Sequence, residues 1–254
     1  MCWCVVKDEK EMKEWLANVQ EKCPASGCEN AEQMAKSRVG TQLFDAIFKD
    51  YTIKQWNKEP KELDALVTAR IPVRSTHDPR YFADRYQALP SKGYTAWFAG
   101  VLRHPLIDVV LGVDYFDHKE HLDNMCDKII YTGPIDKYFA DAGLDKLEYR
   151  GIEFEIKKYY NFDGYMLPNS VVNYPGKDVQ FTRIVEYKHF LAQKNPNTVT
   201  VAEYSKEMGP NDDPYYPVPN PRNQALYEKY QELASEKERT GGKVDEAASC
   251  ELLA

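Results

Sequence analysis

The spacing of apolar residues changes period near Ile71, and that change limits the architectures open to this chain more than any motif does. Before it, Met12, Trp15, Leu16 and Val19 repeat at the i, i+3, i+4, i+7 spacing of one helix face. Asn30, with Gln33 three places on, predicts the N-cap of a second helix. Its stripe runs through Met34, Ala35, Val39, Leu43, Phe44, Ile47 and Phe48. Pro60 opens a short third helix, KELDALVTA. After Ile71 come IDVVLGV, KIIYTG, LEYRGIEFEI, SVVNY, FTRIVEYKHF and TVTVAEY, separated by Gly, Pro, Asn and Asp. Several alternate in period two, as half-buried antiparallel strands do. Helices are expected around 94–102 and 135–139, and from Asn220-Pro221 through Leu233. The expected class is α+β: a helical domain over 1–70, an antiparallel-sheet domain with flanking helices over 71–235, and a frayed tail over 236–254.

Composition narrows the function classes. No apolar run approaches the eighteen or so residues a membrane span needs, so no membrane association is expected. With 33 basic against 40 acidic residues the net charge is -7, which disfavours a nucleic-acid partner. None of the 13 glycines forms GxGxxG or a P-loop, so the chain carries no phosphate cradle of its own. The N-terminus lacks the pattern of a secretory signal, and the cysteines read as cytoplasmic thiols. A zinc site at Cys2, Cys4, Cys23 and Cys28 is the weaker alternative, and no metal site is expected.

The candidate chemistry lies in arginine–aromatic clusters. Tyr51, Thr52 and Trp56 put aromatic faces beside small polar groups, which suits a base or sugar ring and equally suits core packing. Arg70 and Arg74 flank the rigid Ile71-Pro72 junction, as a phosphate fork or as two surface ion pairs. Asn173 and Arg183 fall in adjacent strand-like runs. There Arg183 needs a carboxylate, such as Glu186 or Glu153, or an anionic ligand. Tyr215 and Tyr216 stand between prolines on a stiff segment, to bind phosphate or to brace the fold. Thr132 and Gly133 end an apolar strand, where glycine lets a cofactor approach the backbone. No catalytic triad or carboxylate pair stands out.

Eight segments in one order, YTIKQW, ELDALVTARIPVR, DPRYFADRYQALPSKGYT, IIYTGPIDKYF, KLEYRGIEFE, VVNYP, FTRIVEYKHF and DDPYYPVPNPRNQALYEKYQELA, resemble the UDP-galactopyranose mutases. The resemblance covers residues 29–234. It implies an FAD-dependent isomerase interconverting UDP-galactopyranose and UDP-galactofuranose, with N5 of reduced FAD as the nucleophile. It further implies that Tyr51, Thr52, Trp56 and Tyr81 surround the uridine. Arg70 and Arg183 would neutralise the diphosphate and carry the catalytic role, with Tyr215 or Tyr216 also reaching it. Asn173 would lie near sugar and flavin, and Thr132 and Gly133 would approach the flavin.

UDP-galactose is the implied substrate, and a homodimer is admitted. The family's opening GxGxxG unit and closing GGRxxxYxYxxMD-like segment are not in the sequence. The chain therefore reads as a truncated member, an incomplete α/β flavoenzyme keeping mainly the UDP-sugar-binding face. Residues 127–140 would then pack toward the missing FAD domain. The alternative is a non-catalytic UDP-sugar-binding remnant without FAD.

Overall fold

The structure, a computed structural model, describes residues 6–78, 80–239 and 244–246. In chain order the α-helices are α1 (Glu9–Val19), α2 (Ala31–Leu43), α3 (Lys49–Trp56), α4 (Leu66–Ala69) and α5 (Tyr94–Val101), then α6 (Lys119–Met125), α7 (Ile135–Tyr138) and α8 (Pro221–Arg239). The strands are β1 (Ile129–Tyr131), β2 (Tyr149–Tyr159), β3 (Val171–Asn173) and β4 (Arg183–Glu186), then β5 (Thr198–Glu207), β6 (Tyr216–Pro217) and β7 (Val244–Glu246). They fall into two units. The first holds the described residues up to Asp84 together with Leu147–Gln224, and the second holds Arg85–Lys146 with the described residues from Ala225. The helical section and the sheet expected as separate domains thus lie in one unit.

In the first unit the side-chain caps set the helices. The Asp8 carboxylate accepts from the Glu11 amide at 2.9 Å and opens α1, whose apolar stripe is half-buried. The Asn30 side chain accepts from the Gln33 amide at 3.0 Å, while the Gln33 side chain accepts from the Glu29 amide at 2.9 Å. The stripe expected as one long helix is broken at Gly40, which sits at φ 75°. A Cβ there would stand 2.5 Å from the Val19 carbonyl oxygen, so only glycine lets α1 and α2 approach so closely. A π-helical turn, Phe44–Phe48, then leads into α3. Gly40→Ala should lower stability by more than ~1 kcal/mol, read as a fall in the urea midpoint, because strain adds to the clash.

The KELDALVTA helix is also split, into a 3-10 turn at Pro60–Glu62 and the short α4. The cause is local: the Asp64 carboxylate accepts from the Leu66 amide and starts a new turn. Ala31, Trp56, Leu63, Val67 and Val218 form the core of this layer. Arg38 donates to the carbonyls of Thr68 and Ala69 and ties α2 to α4.

The sheet is antiparallel in the order β3-β4-β5-β2-β6. Its long pair, β2 with β5, runs in register from Arg150↔Glu207 to Tyr159↔Thr198. At its far end Glu186 is fully buried and accepts from the Met166 and Leu167 amides and the Thr198 hydroxyl. Asn57, left-handed at φ 52°, stops α3, and its side chain bonds Glu207 of β5 at 3.0 Å.

In the second unit β1 pairs in parallel with β7, in the register Ile129↔Val244. The expected tail is therefore not patternless throughout: α8 continues to Arg239, residues 244–246 form a strand, and the rest lies outside the described residues. Tyr230 of α8, 1 % exposed, donates to the Asp145 carbonyl and stacks on Phe139. Tyr115, Phe116, Tyr131 and Tyr138 make an aromatic cluster, over which Lys119 and Lys137 lie. The IDVVLGV run forms no strand. With no neighbouring strand bonded to it among the described residues, Leu106, Val110 and Leu111 remain 87%, 73% and 86% exposed.

Among the described residues no helix is long and apolar enough to cross a membrane, and no cluster of metal-ligating groups occurs. Cys23 and Cys28 are joined in a disulfide rather than standing as free thiols, and Cys2 and Cys4 lie outside the described residues.

Candidate functional site

The site is built where α3 lies against the sheet of the first unit. Tyr51, Lys54 and Gln55 fall on one side of α3 by their i, i+3, i+4 spacing. Tyr51 reaches Asn173 at the end of β3, with its hydroxyl 3.5 Å from the side-chain carbonyl. Asn173 is the cross-strand partner of Arg183, and Arg183 is in turn the partner of Glu203 on β5. This register puts the three side chains on one face, as directly opposed residues must be.

Arg183 Nε donates to Glu203 Oε2 at 2.6 Å, and its outer nitrogen lies 3.4 Å from the Tyr215 hydroxyl. Tyr215 is held by its own amide, which donates to the Arg150 carbonyl at 2.9 Å. Its ring meets Tyr216 edge-on at 4.3 Å. Arg150, itself 4 % exposed, donates to the Gln55 carbonyl at 3.0 Å and to the Ser205 hydroxyl at 3.3 Å. It thereby closes the floor beneath the tyrosines.

The side chains enclose a cleft of ≈ 30 Å³, lined by Tyr51, Thr182, Arg183, Glu203, Tyr215 and Tyr216 among others. That volume holds a water or two. Any ligand larger than that would therefore lie across the mouth, with only an atom or two reaching in. A larger cavity, of ≈ 350 Å³, lies elsewhere in this unit between Glu62, Asp64 and Pro219. Its Glu62 and Asp64 carboxylates accept from the backbone amides of Glu59 and Leu66, and the cation that lines it, Lys61, is exposed.

The electrostatics favour an anion. Burial opposes the charge on Arg183, but the hydrogen bond and charge of Glu203 outweigh it and raise the guanidinium above its ordinary value. The Tyr215 phenol is pushed up to about 12, by burial first and then by its bond with Tyr216. Burial also raises Tyr51, against the opposing charges of Arg183 and Arg70. At neutral pH the cleft thus presents the Arg183 cation, held in its pair with Glu203, and two protonated phenols. That set can hold phosphate oxygens, while the one carboxylate of the lining, Glu203, is engaged by Arg183.

Of the residues singled out in the sequence, Tyr51, Asn173, Arg183, Tyr215 and Tyr216 come together here. Thr52 and Trp56 are buried, and Trp56 turns into the core, 6.2 Å from the Tyr216 ring. Arg70 is exposed just past α4, near enough for its charge to act on Tyr51. Tyr81 is 48% exposed, lies edge-on to Phe82, and accepts from Arg74 through its carbonyl. Thr132 and Gly133 belong to the second unit.

The partner of Arg183 is Glu203, neither Glu186 nor Glu153. Glu186 is consumed by amides and a hydroxyl, and Glu153 stands opposite Tyr204 on the other face of β2. Sequence reasoning missed Glu203, Gln55, Ser205 and Arg150. The one signal for Glu203 was its place in phase with Val201 and Ser205 on one face of β5.

The family model described as UDP-galactopyranose mutase matches residues 46–243. A probable UDP-galactopyranose mutase of Klebsiella pneumoniae is 36% identical over 212 residues, which is 82% of this chain and 53% of that protein. A dTDP-fucopyranose mutase of Escherichia coli is 34% identical, over 81% of this chain and 55% of that protein. The UDP-galactopyranose mutase of Mycoplasma genitalium is 33% identical, over 76% and 50%. The chain therefore spans about half the length of these curated relatives. A crystal structure of reduced UDP-galactopyranose mutase superposes with a TM-score of 0.60 at 14% identity, covering 90% of this chain and 65% of that one. The fold is shared.

Proposed function

This chain belongs to the UDP-galactopyranose mutase family, and we propose that it supplies the UDP-sugar-binding face for interconversion of UDP-galactopyranose and UDP-galactofuranose. The observation that carries this reading is Arg183, fixed by Glu203 with its outer nitrogen turned toward Tyr215 in a cleft bounded by Tyr51. The guanidinium would take the diphosphate oxygens, the phenols would donate to them, and Asn173 would meet the sugar. Arg70 would close on the diphosphate from the exposed end of α4. Such a set binds and orients, which is what a reaction whose nucleophile belongs to a cofactor asks of the protein.

The family implies FAD, but the described residues do not form its cradle. The sequence has no glycine-rich phosphate loop. A Cβ on Gly133 would meet the Tyr131 phenol, so that side of the strand end is filled by the chain itself. This favours a second reading, a nucleotide-sugar-binding protein that does not turn over by itself.

Titration with UDP, dTDP and UMP, followed by intrinsic tryptophan fluorescence, tests the first reading. UDP should bind saturably and more tightly than UMP. Arg70→Ala should weaken UDP about tenfold, the scale of one partly exposed charged contact. Absence of UDP binding rejects the site, and preference for dTDP moves the substrate to the thymidine series. A visible spectrum with added FAD separates the two readings: a flavin band that survives gel filtration supports turnover, and a colourless protein supports the second.

A further inference from the structure

Lys54 has an environment that the binding site as described does not use. Its ammonium donates to three backbone carbonyls of one connection: Tyr174, Val179 at 3.3 Å and Phe181 at 3.1 Å. Burial lowers its pKa, against the more distant charges of Asp178 and Asp50. Asp50 itself pairs with Lys177, 3.2 Å away. The charge of Lys54 is thus directed at peptide oxygens that no strand or helix satisfies, and each such charged bond is worth more than a neutral one.

That connection, 174–182, joins Asn173 to Arg183. The edge-on pair of Tyr174 and Phe181 and the bond from the Tyr174 amide to the Thr182 carbonyl close it into a hairpin. Lys54 stands one helical turn after Tyr51, on the side of α3 that faces the sheet. It therefore ties the hairpin to the element carrying Tyr51, between the two strand ends that carry Asn173 and Arg183. A shift of the hairpin along α3 would move both residues together, away from the phenol they face.

We propose that Lys54 is a positioning residue, clamping the 174–182 hairpin to α3 so that Asn173 and Arg183 meet a nucleotide diphosphate opposite Tyr51. The role rests on the reading of that cleft as the UDP site. It touches no ligand and acts through the backbone alone.

The test compares Lys54→Met and Lys54→Arg with the wild type in UDP affinity, thermal melting and amide hydrogen exchange of the full chain. Lys54→Met should weaken UDP about tenfold, a 1.4 kcal/mol effect, and speed exchange within 173–183 while other sheet amides keep their protection. Lys54→Arg, which keeps donors and charge, should recover most of both. Should Lys54→Met fail to fold, Lys54→Gln takes its place, retaining two donors without the charge. A Met or Gln variant that binds UDP as the wild type does overturns the proposal, as does exchange that rises evenly over the sheet. If the wild type itself binds no UDP, the proposed function falls, and the local or even exchange pattern alone then upholds or rejects the clamp.

Discussion

Arg183→Ala should weaken UDP binding at least about 100-fold, measured by calorimetry or fluorescence at fixed ionic strength. Two effects act in the same direction. The substitution removes the one cation of the cleft, and truncating a hydrogen-bonded partner of a charged ligand costs ~2–5 kcal/mol. It also leaves Glu203, whose side chain is 7% exposed, without its 2.6 Å partner and facing the incoming diphosphate. An unpaired carboxylate in that position repels the ligand and destabilises the sheet. The stability cost lies toward the lower end of that seen for buried pairs, because the Arg183 side chain is 34% exposed. Arg183→Ala with Glu203→Gln should therefore regain stability while binding stays weak. Arg183→Lys should not restore binding, since a lysine cannot hold Glu203 and offer a second donor in the same plane. UDP affinity unchanged in Arg183→Ala would remove the site assignment.

The largest loss of stability is expected from Glu186→Ala, about 3–5 kcal/mol by urea titration, the range for removing one partner from a buried charged network. Its carboxylate is wholly buried, with Oε1 on the Met166 amide and Thr198 hydroxyl, Oε2 on the Leu167 amide at 2.8 Å, and His189 at 3.5 Å. Truncation would strand those donors away from water. The same group sets an acid limit. Burial pushes its pKa up, but the Thr198 hydroxyl and the Leu167 and Met166 amides outweigh burial and hold it below the ordinary glutamate value. On acidification the unfolded chain therefore takes the proton first. The stability Glu186 confers is complete above about pH 4.3 and drains as pH falls through the lower folded value. Melting temperatures between pH 6 and 3 should fall more shallowly in Glu186→Ala than in the wild type. An equal slope would mean that Glu186 is not the group protonated.

Much of the first unit was legible because its signals are local. Asn30 with Gln33, and the alternation in LEYRGIEFEI and TVTVAEY, act through neighbouring residues or through one strand face. The breaks were not legible. Gly40 looks like any helical glycine until the Val19 carbonyl stands over it, and Asp64 restarts a helix by a bond that competes with continuation. IDVVLGV alternates as a strand should, yet alternation supplies only half of a strand, and a neighbour must supply the hydrogen bonds.

In the site, Arg183 and the tyrosines stood out by type. Glu203 did not, because its partnership depends on which strand lies beside which. Trp56 took one of the two places its type allowed, the core, where its ring lies 6.2 Å from that of Tyr216.

The exposed run from Tyr94 to Leu111 bears on the life of the protein in a cell. Trp97 and Phe98 of α5 are each 51% exposed, and Leu106 and Leu111, which follow it outside any helix or strand, are 87% and 86% exposed. Chaperones and proteases recognise such stretches as the mark of unfinished folding. Its abundance would then follow how often that run is bound or cut. A sheet that melts at high temperature would give it no added lifetime.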